Sequence, residues 1–184
     1  MILAVYSIME VKREVKKDEQ EKSYNYYYFA YMLISIVDCT NRKSRYSFFS
    51  FRFKWWSFGN SWKYYYTQQG TTNYSNNIIS AISSWQTATS KLSVSKATAP
   101  YGNVVVTSKN FRNTGWDGIT YINLRIDLQD SVVSSNRTEL VAHEFGHGFG
   151  LDHFSCSYEL MRAFGYKGSA TPYEGDIAGI NALY

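Results

Sequence analysis

The chain has 184 residues, of which 45% are hydrophobic and 18% aromatic, and it carries a formal net charge of +4. This composition is typical of one folded domain and excludes a disordered chain. Two cysteines, Cys39 and Cys156, are too few for a disulfide-rich scaffold. No uncharged apolar run reaches the roughly 18 to 20 residues of a membrane span.

The positive charge lies in the first third of the chain. Residues 1–63 contain eleven basic and six acidic residues, whereas residues 64–184 contain eight and nine. Cations alternate with aromatic residues over residues 51–66, as they do in proteins that bind single-stranded nucleic acid. The same alternation has the period of a half-buried strand, which is the interpretation that we favour. We therefore expect no nucleic-acid partner.

We place a boundary near residue 50, between an N-terminal segment, residues 1–49, and a folded domain, residues 50–184. Residues 24–37 are uncharged but rich in tyrosine, and a stretch of mixed charge precedes them. Three interpretations of the segment stay open: an export signal or membrane anchor, a pro-segment, and ordinary strand-forming sequence. The later residues, rich in Ser, Asn, Tyr and Thr, favour an exported protein.

The domain begins with two predicted strands around a turn at residues 58–60. The first covers residues 49–55, and the second runs through Trp62, Tyr64 and Tyr66. A helix is predicted within residues 73–89, where five residues share one face: Ile78, Ala81, Ile82, Trp85 and Ala88.

Further strand candidates follow at residues 92–94, 104–106 and 118–128. The last supplies one or two strands, with four apolar residues on one face: Ile122, Leu124, Ile126 and Leu128. This order of elements predicts an α+β (α/β-like) fold with a mostly parallel sheet.

The next predicted helix carries two of the chain's three histidines. Asn136 is expected to cap it, with Glu139 reaching back in a capping box. HEFGHGFGLDH, residues 143–153, contains every histidine of the chain. Because His143 and His147 are four residues apart, they lie on one helix face and can reach a single metal ion.

A third ligand requires the chain to turn back toward that ion. Gly148 and Gly150 give the backbone the freedom to end the helix and bring His153 to the site, and Gly150 is the residue on which the turn depends. Three histidines beside a free carboxylate, that of Glu144, favour a hydrolytic zinc site over an iron oxygenase site.

HEFGHGFGLDH resembles the zinc-binding signature H-E-x-x-H-x-x-G-x-x-H of the metzincin metallopeptidases. Met161, in YELM, stands where the matrixin branch has its Met-turn, and residues 172–184 and 77–85 look like two matrixin helices. The resemblance implies a metzincin (zincin-like) fold. Its parts are a twisted, mostly parallel sheet with an antiparallel edge strand, two long helices and a small C-terminal subdomain.

The resemblance also implies a role for each site residue. The three histidines would bind one zinc ion, Glu144 would be the general base, and Met161 would form an apolar floor beneath the ligands. Asp176 would hold the backbone of the Met-turn. The implied substrate-binding residues are an edge strand and a pocket wall: Gly118, Ile119, Thr120, Tyr121, Ile122, Phe164 and Tyr166.

The chain departs from matrixins in several places. Phe154 replaces the serine after the last ligand, residues 162–164 read Arg-Ala-Phe in place of Tyr-Pro, and only Asp176 remains of a pair of aspartates. No further histidine can hold a second zinc, but structural calcium stays open, with Asp117 as a candidate ligand.

Cys39 has three open roles. It could ligate the zinc as an inhibitory switch, form a disulfide with Cys156, or stay unconnected.

We predict a secreted, monomeric zinc endopeptidase that acts on proteins or peptides and has no stable partner. A membrane-anchored form stays open. The alternatives are a catalytically weak zinc-containing binding module and a protein that binds nucleic acid through its basic N-terminal third.

Overall fold

The computed structural model describes residues 61–98, 102–112, 114–121, 124–154 and 156–184. Over these ranges the chain forms an α+β fold with one mixed five-stranded sheet and three α-helices. The predicted strand over 49–55, the turn at 58–60 and the segment 1–49 lie outside the described residues. Within the described ranges, no helix has the length and apolarity needed to cross a bilayer.

Four of the five strands run parallel. The strands are β1 (Ser61–Gln68), β2 (Ser93–Lys96), β3 (Val104–Lys109), β4 (Gly118–Thr120) and β5 (Arg125–Gln129). Their order across the sheet is β2-β1-β3-β5-β4, and β4 alone pairs antiparallel with its neighbour. The prediction of a mostly parallel sheet is confirmed, and β4 forms one edge of it.

The segment 118–128 supplies two strands because a tight turn interrupts it. Leu124 has a φ of 60°, and its N–H donates to the Tyr121 carbonyl at 2.9 Å. Leu124, Ile126 and Leu128 are buried, as their pattern predicts. Ile122 lies outside the described residues.

The three helices are α1 (Ser75–Ala88), α2 (Arg137–Gly148) and α3 (Glu174–Leu183). The predicted α1 is confirmed, because its buried residues are four of the five predicted, Ala88 being half-buried. The indole N–H of Trp85 donates to the Ala142 carbonyl at 2.8 Å in the buried interface. This bond links α1 to the middle of α2, the helix that carries the histidines.

The capping box predicted for α2 is wrong. A 3₁₀ turn, Ser134–Asn136, leads directly into the helix, so Asn136 has helical dihedral angles and makes no side-chain capping bond. The Glu139 carboxylate accepts hydrogen bonds from the Arg162 side chain and the Lys167 backbone, both at 2.6 Å. It points away from the start of the helix because those donors hold it elsewhere.

Aromatic rings fill the core between the sheet and α2. The Phe149 ring lies 5.6 Å from Trp62, 5.7 Å from Trp85 and 5.9 Å from Phe145, measured between centroids. Gly146 lets α2 approach this core closely, because a Cβ there would lie 2.2 Å from the Met161 sulfur and 3.1 Å from the Trp85 ring. Met161 is fully buried and has little room to yield.

We expect Gly146→Ala to lower the free energy of unfolding by about 1–3 kcal/mol, since the added methyl overpacks the core. Gly148→Ala is the matched control on the same helix, because the nearest atom to its added methyl would be 4.0 Å away. It should be neutral or stabilise by up to about 1 kcal/mol. Urea denaturation measures both, and a Gly146→Ala protein as stable as the control would contradict this packing.

Candidate metal centre

Three histidine side chains meet at the end of α2. His143 and His147 project from successive turns, and the loop after the helix brings in His153. The His153 Nε2 lies 3.2 Å from that of His143 and 3.1 Å from that of His147. Gly150 makes the turn with a φ of 99°, a backbone conformation that favours glycine. Gly148 is the last residue of α2 and has no positive φ, so the left-handed step of the turn is made at Gly150.

Backbone carbonyls orient two of the three rings. The Nδ1 of His143 lies 2.8 Å from the Leu160 carbonyl oxygen, and that of His147 lies 2.9 Å from the Leu151 oxygen. A carbonyl can only accept, so each Nδ1 must carry a proton. In the neutral ring the Nε2 then presents a lone pair toward the other histidines.

These nitrogens fit the coordination of a metal ion. In a tetrahedral site with metal–nitrogen bonds of about 2.0–2.1 Å, two ligand nitrogens lie about 3.3 Å apart. The two distances to His153 are close to that value, and the three ligand atoms lie within 4.8 Å of one another. Among the described residues, these histidines are the one group that could share an ion.

The surroundings keep two of the rings neutral. Burial, followed by the nearby His147, lowers the pKa of His143 to about 3. Burial also lowers the pKa of His147. Neutral imidazole is the form that binds a metal, so the site can hold a cation without first losing protons from these rings.

Glu144 lies between the two helical histidines in sequence and is buried, with 5% of its surface exposed. Its Oε2 lies 2.7 Å from the Thr120 hydroxyl, which also lies 2.9 Å from the Glu144 carbonyl oxygen. Burial raises the pKa of Glu144 to about 7, against the lowering effect of the Thr120 hydrogen bond. A carboxylate in such a position can exchange a proton near neutral pH.

Met161 and Asp176 stabilise the chain segment that orients His143. The Met161 side chain is fully buried, and its sulfur packs against Gly146 of α2. Asp176 in α3 accepts hydrogen bonds from the N–H groups of Leu160 at 2.7 Å and Met161 at 3.0 Å. Residues 160–161 therefore include the Leu160 carbonyl that orients His143, and their backbone is held by the buried Asp176 carboxylate.

The segment after Met161 is tied to α2 by Glu139. This carboxylate accepts from the Arg162 guanidinium at 2.6 Å and from the N–H groups of Lys167, Gly168 and Ser169 at 2.6–3.0 Å. Both ends of the intervening loop therefore converge on one buried group. Glu139, His143 and His147 recur every four residues, so the loop is fixed on the ligand-bearing face of α2.

The predicted substrate-binding residues occupy two places beside the histidines. Gly118, Ile119 and Thr120 form β4, Tyr121 lies exposed just past it, and Ile122 falls outside the described residues. Phe164, at 90% exposure, and Tyr166 lie in the loop that Glu139 closes.

The Tyr166 hydroxyl donates to Asp117 at 2.6 Å, so this loop and the start of β4 are joined. Asp117, the candidate calcium ligand, belongs to no group of potential metal ligands within the described residues.

Compared with known proteins, the chain matches no family model and no curated sequence.

Cys156 is buried and disulfide-bonded. Cys39, its predicted partner in one of the three interpretations, lies outside the described residues.

Four residues contribute to the site in ways that the sequence patterns do not predict. The carbonyls of Leu151 and Leu160 orient the ligands, but a carbonyl has no side-chain signal. Thr120 is predicted only as part of the substrate-binding edge strand, and its side chain contacts Glu144. Glu139 could have been found, because it lies one turn before His143 on the ligand face.

We expect a divalent transition-metal ion to bind the wild-type protein and raise its melting temperature, since the folded state alone presents the three ligands. His153→Ala should lose most of this affinity and this shift. Its metal-free melting temperature should change little, because the His153 side chain is exposed. Calorimetric titration and melting curves check this, and equal metal affinity in the variant would place the third ligand elsewhere.

We expect Glu139→Gln to lower the free energy of unfolding by about 3–5 kcal/mol, because it leaves Arg162 buried without its counter-charge. The NH₂ group of the new glutamine would also face backbone N–H groups, which are donors as well and cannot hydrogen-bond to it. Glu174→Gln, at an exposed position in the first turn of α3, is the control and should change stability by less than about 1 kcal/mol. Similar urea midpoints for the two variants would refute the anchoring role.

Proposed function

We propose that this protein is a zinc-dependent endopeptidase of the metzincin type, closest to the matrixin branch. One observation carries the proposal: the Nε2 atoms of three histidines converge on one point, and the residue after the first of them on the same helix is a buried carboxylate. Three imidazole ligands would leave a fourth coordination position open, which is the arrangement of catalytic zinc sites.

The choice of zinc follows from the donor set. Non-haem iron oxygenases use two histidines and one carboxylate, whereas here all three ligands are imidazoles and the Glu144 carboxylate is held by Thr120. His143, His147 and His153 would hold the ion. When bound, zinc supplies Lewis acidity that polarises the scissile carbonyl and lowers the pKa of a water molecule to about 7.

Glu144 performs the proton transfers in this mechanism. Its carboxylate accepts a proton from the attacking water and then delivers it to the leaving amine, so no covalent intermediate with the protein forms. The carbonyls of Leu151 and Leu160 keep two ligand rings in the orientation that points Nε2 inward. Met161, which is fully buried, would form the apolar floor beneath the ligands that the resemblance implies.

The edge strand β4 is the proposed binding place for substrate. It pairs with β5 on one side, and a peptide in extended conformation can add to the other side through main-chain hydrogen bonds. The loop with Phe164 and Tyr166 would wall the pocket for an apolar residue after the cut. The mixed sheet with its antiparallel edge, and the chain after Gly150 as a small C-terminal subdomain, agree with this fold family.

Other parts of the proposal follow the sequence. Composition favours export of the chain, with anchoring through residues 1–49 as the alternative. One catalytic zinc is expected, and the protein would act as a monomer on protein or peptide substrates. The presence of Glu144 favours catalysis over a zinc-containing binding module, because binding alone needs no general base.

A cleavage assay on the full chain tests the activity. An unstructured protein is incubated with the zinc-loaded enzyme, with and without a chelator, and the new ends are identified by mass spectrometry. Cleavage that the chelator abolishes and added zinc restores supports the proposal. An intact substrate after incubation with protein of full zinc content refutes it.

We expect Glu144→Gln to keep its zinc and to lose about 10²- to 10⁴-fold in kcat, since the amide keeps the shape of the side chain but cannot accept a proton. Metal analysis and steady-state kinetics measure the two effects separately. Glu174→Gln is the matched control for removing one carboxylate and should keep wild-type kinetics. Near-normal turnover in zinc-loaded Glu144→Gln would refute the proposed mechanism.

A further inference from the structure

The side of β4 that faces α2 is shaped around Glu144. Gly118 and Thr120 lie two residues apart and therefore on the same face of the strand. A Cβ at Gly118 would lie 2.9 Å from the Glu144 Cγ and 3.0 Å from its Oε1, so glycine leaves the room that this side chain needs. Thr120 then supplies a hydroxyl 2.7 Å from the Glu144 Oε2.

The Thr120 hydroxyl touches Glu144 at two atoms. Besides Oε2 it lies 2.9 Å from the main-chain oxygen of the same residue. The Thr120 side chain therefore contacts both the carboxylate and the main-chain oxygen of Glu144. These two contacts limit rotation about the Glu144 side-chain bonds. Within the described ranges, it is the hydrogen-bond partner that the structure gives this carboxylate.

A buried carboxylate needs such a partner. With 5% of its surface exposed, Glu144 has little water to solvate it or to define its direction. A hydrogen bond to a charged group contributes more than one between neutral groups, about 1.5–3 kcal/mol. The hydroxyl from β4 therefore favours one orientation of the carboxylate over the others.

We propose that Thr120 is a positioning residue for catalysis: its hydroxyl aims the Glu144 carboxylate from the edge strand. This inference rests on the proposed endopeptidase function. The sequence-based prediction places Thr120 in an edge strand that binds substrate through its main chain; the inference adds a role for its side chain, which faces α2 and whose hydroxyl contacts Glu144. The backbone of β4 stays available for substrate, so one strand would position the base with its side chains and the peptide with its main chain.

Thr120→Val and Thr120→Ser separate positioning from structure. Valine keeps the shape and strand preference of threonine but lacks the hydroxyl, whereas serine keeps the hydroxyl. In zinc-loaded full-length protein, Thr120→Val should lower kcat by about 10- to 100-fold, with KM and zinc content unchanged. Thr120→Ser should recover kcat to within about threefold of wild type.

Thr138→Val is the matched control for a hydroxyl elsewhere on α2. The Thr138 hydroxyl accepts a hydrogen bond from Asn77 at 2.9 Å and, within the described residues, makes none with Glu144. This variant should keep the wild-type kcat. A loss in Thr138→Val equal to that in Thr120→Val would overturn the inference, because general loosening of α2 would then explain both.

A double variant that combines Thr120→Val with Glu144→Gln gives a second test. If Thr120 acts through the carboxylate, its removal should lower the residual activity of Glu144→Gln by less than about threefold. A full 10- to 100-fold further loss would mean that the hydroxyl acts independently, and a rise in KM with unchanged kcat would return it to substrate binding. Either result overturns the inference.

Crystal structures of the metal-free variants supply a readout that does not depend on activity. The Glu144 carboxylate should keep its position in Thr120→Ser and leave it in Thr120→Val, and an unmoved carboxylate in the valine variant contradicts the inference.

The wild type and Glu144→Gln serve as reference proteins that test the proposed endopeptidase function itself. Inactive zinc-loaded wild type refutes the endopeptidase, and the inference falls with it. Active wild type with an unaffected Thr120→Val refutes the inference alone.

Discussion

The convergence of three imidazole nitrogens is the constraint on which the site depends. The Nε2 of His153 lies 3.1–3.2 Å from the Nε2 atoms of the other two histidines, a spacing close to that of ligands sharing one metal ion. The protein maintains this arrangement through the carbonyls of Leu151 and Leu160, which hold the rings in one tautomer. The Leu160 carbonyl is in turn fixed by Asp176 of α3, so an element remote in sequence supports the ligand geometry.

Helix α2 serves the core and the site at once. Val141, Phe145 and Gly146 pack against the sheet and α1, while Glu139, His143 and His147 line the other side. Because the core face packs closely at Gly146, the helix has little freedom to shift, and its ligand face is fixed with it. The position of the metal site is thus a consequence of how the helix is buried.

The sequence predicted what depends on local spacing. Two histidines four residues apart define a helix face, and a glycine after them allows the turn, so the spacing alone is enough to find the ligand cluster. The same holds for α1, whose apolar residues follow the helical period.

What the sequence could not predict depends on contacts between distant elements. Asn136 has the right type and place for a cap, but the 3₁₀ turn before α2 and the donors around Glu139 decide otherwise. Gly148 is as free as Gly150 in principle, yet it keeps a helical place as the last residue of α2 and only Gly150 takes a positive φ. Nothing in the spacing of Thr120 and Glu144 indicates that their side chains meet, because that contact arises only when β4 docks on α2.

The placement of the ligands has a consequence for the order in which the site can assemble. All three histidines lie within eleven consecutive residues, so one helix and its terminal turn suffice to bring them together. Thr120 and Glu144 are 24 residues apart, and their contact requires β4 to have joined β5 at the edge of the sheet. The three ligands therefore come from one local segment, whereas the orientation of the Glu144 carboxylate depends on the completed sheet.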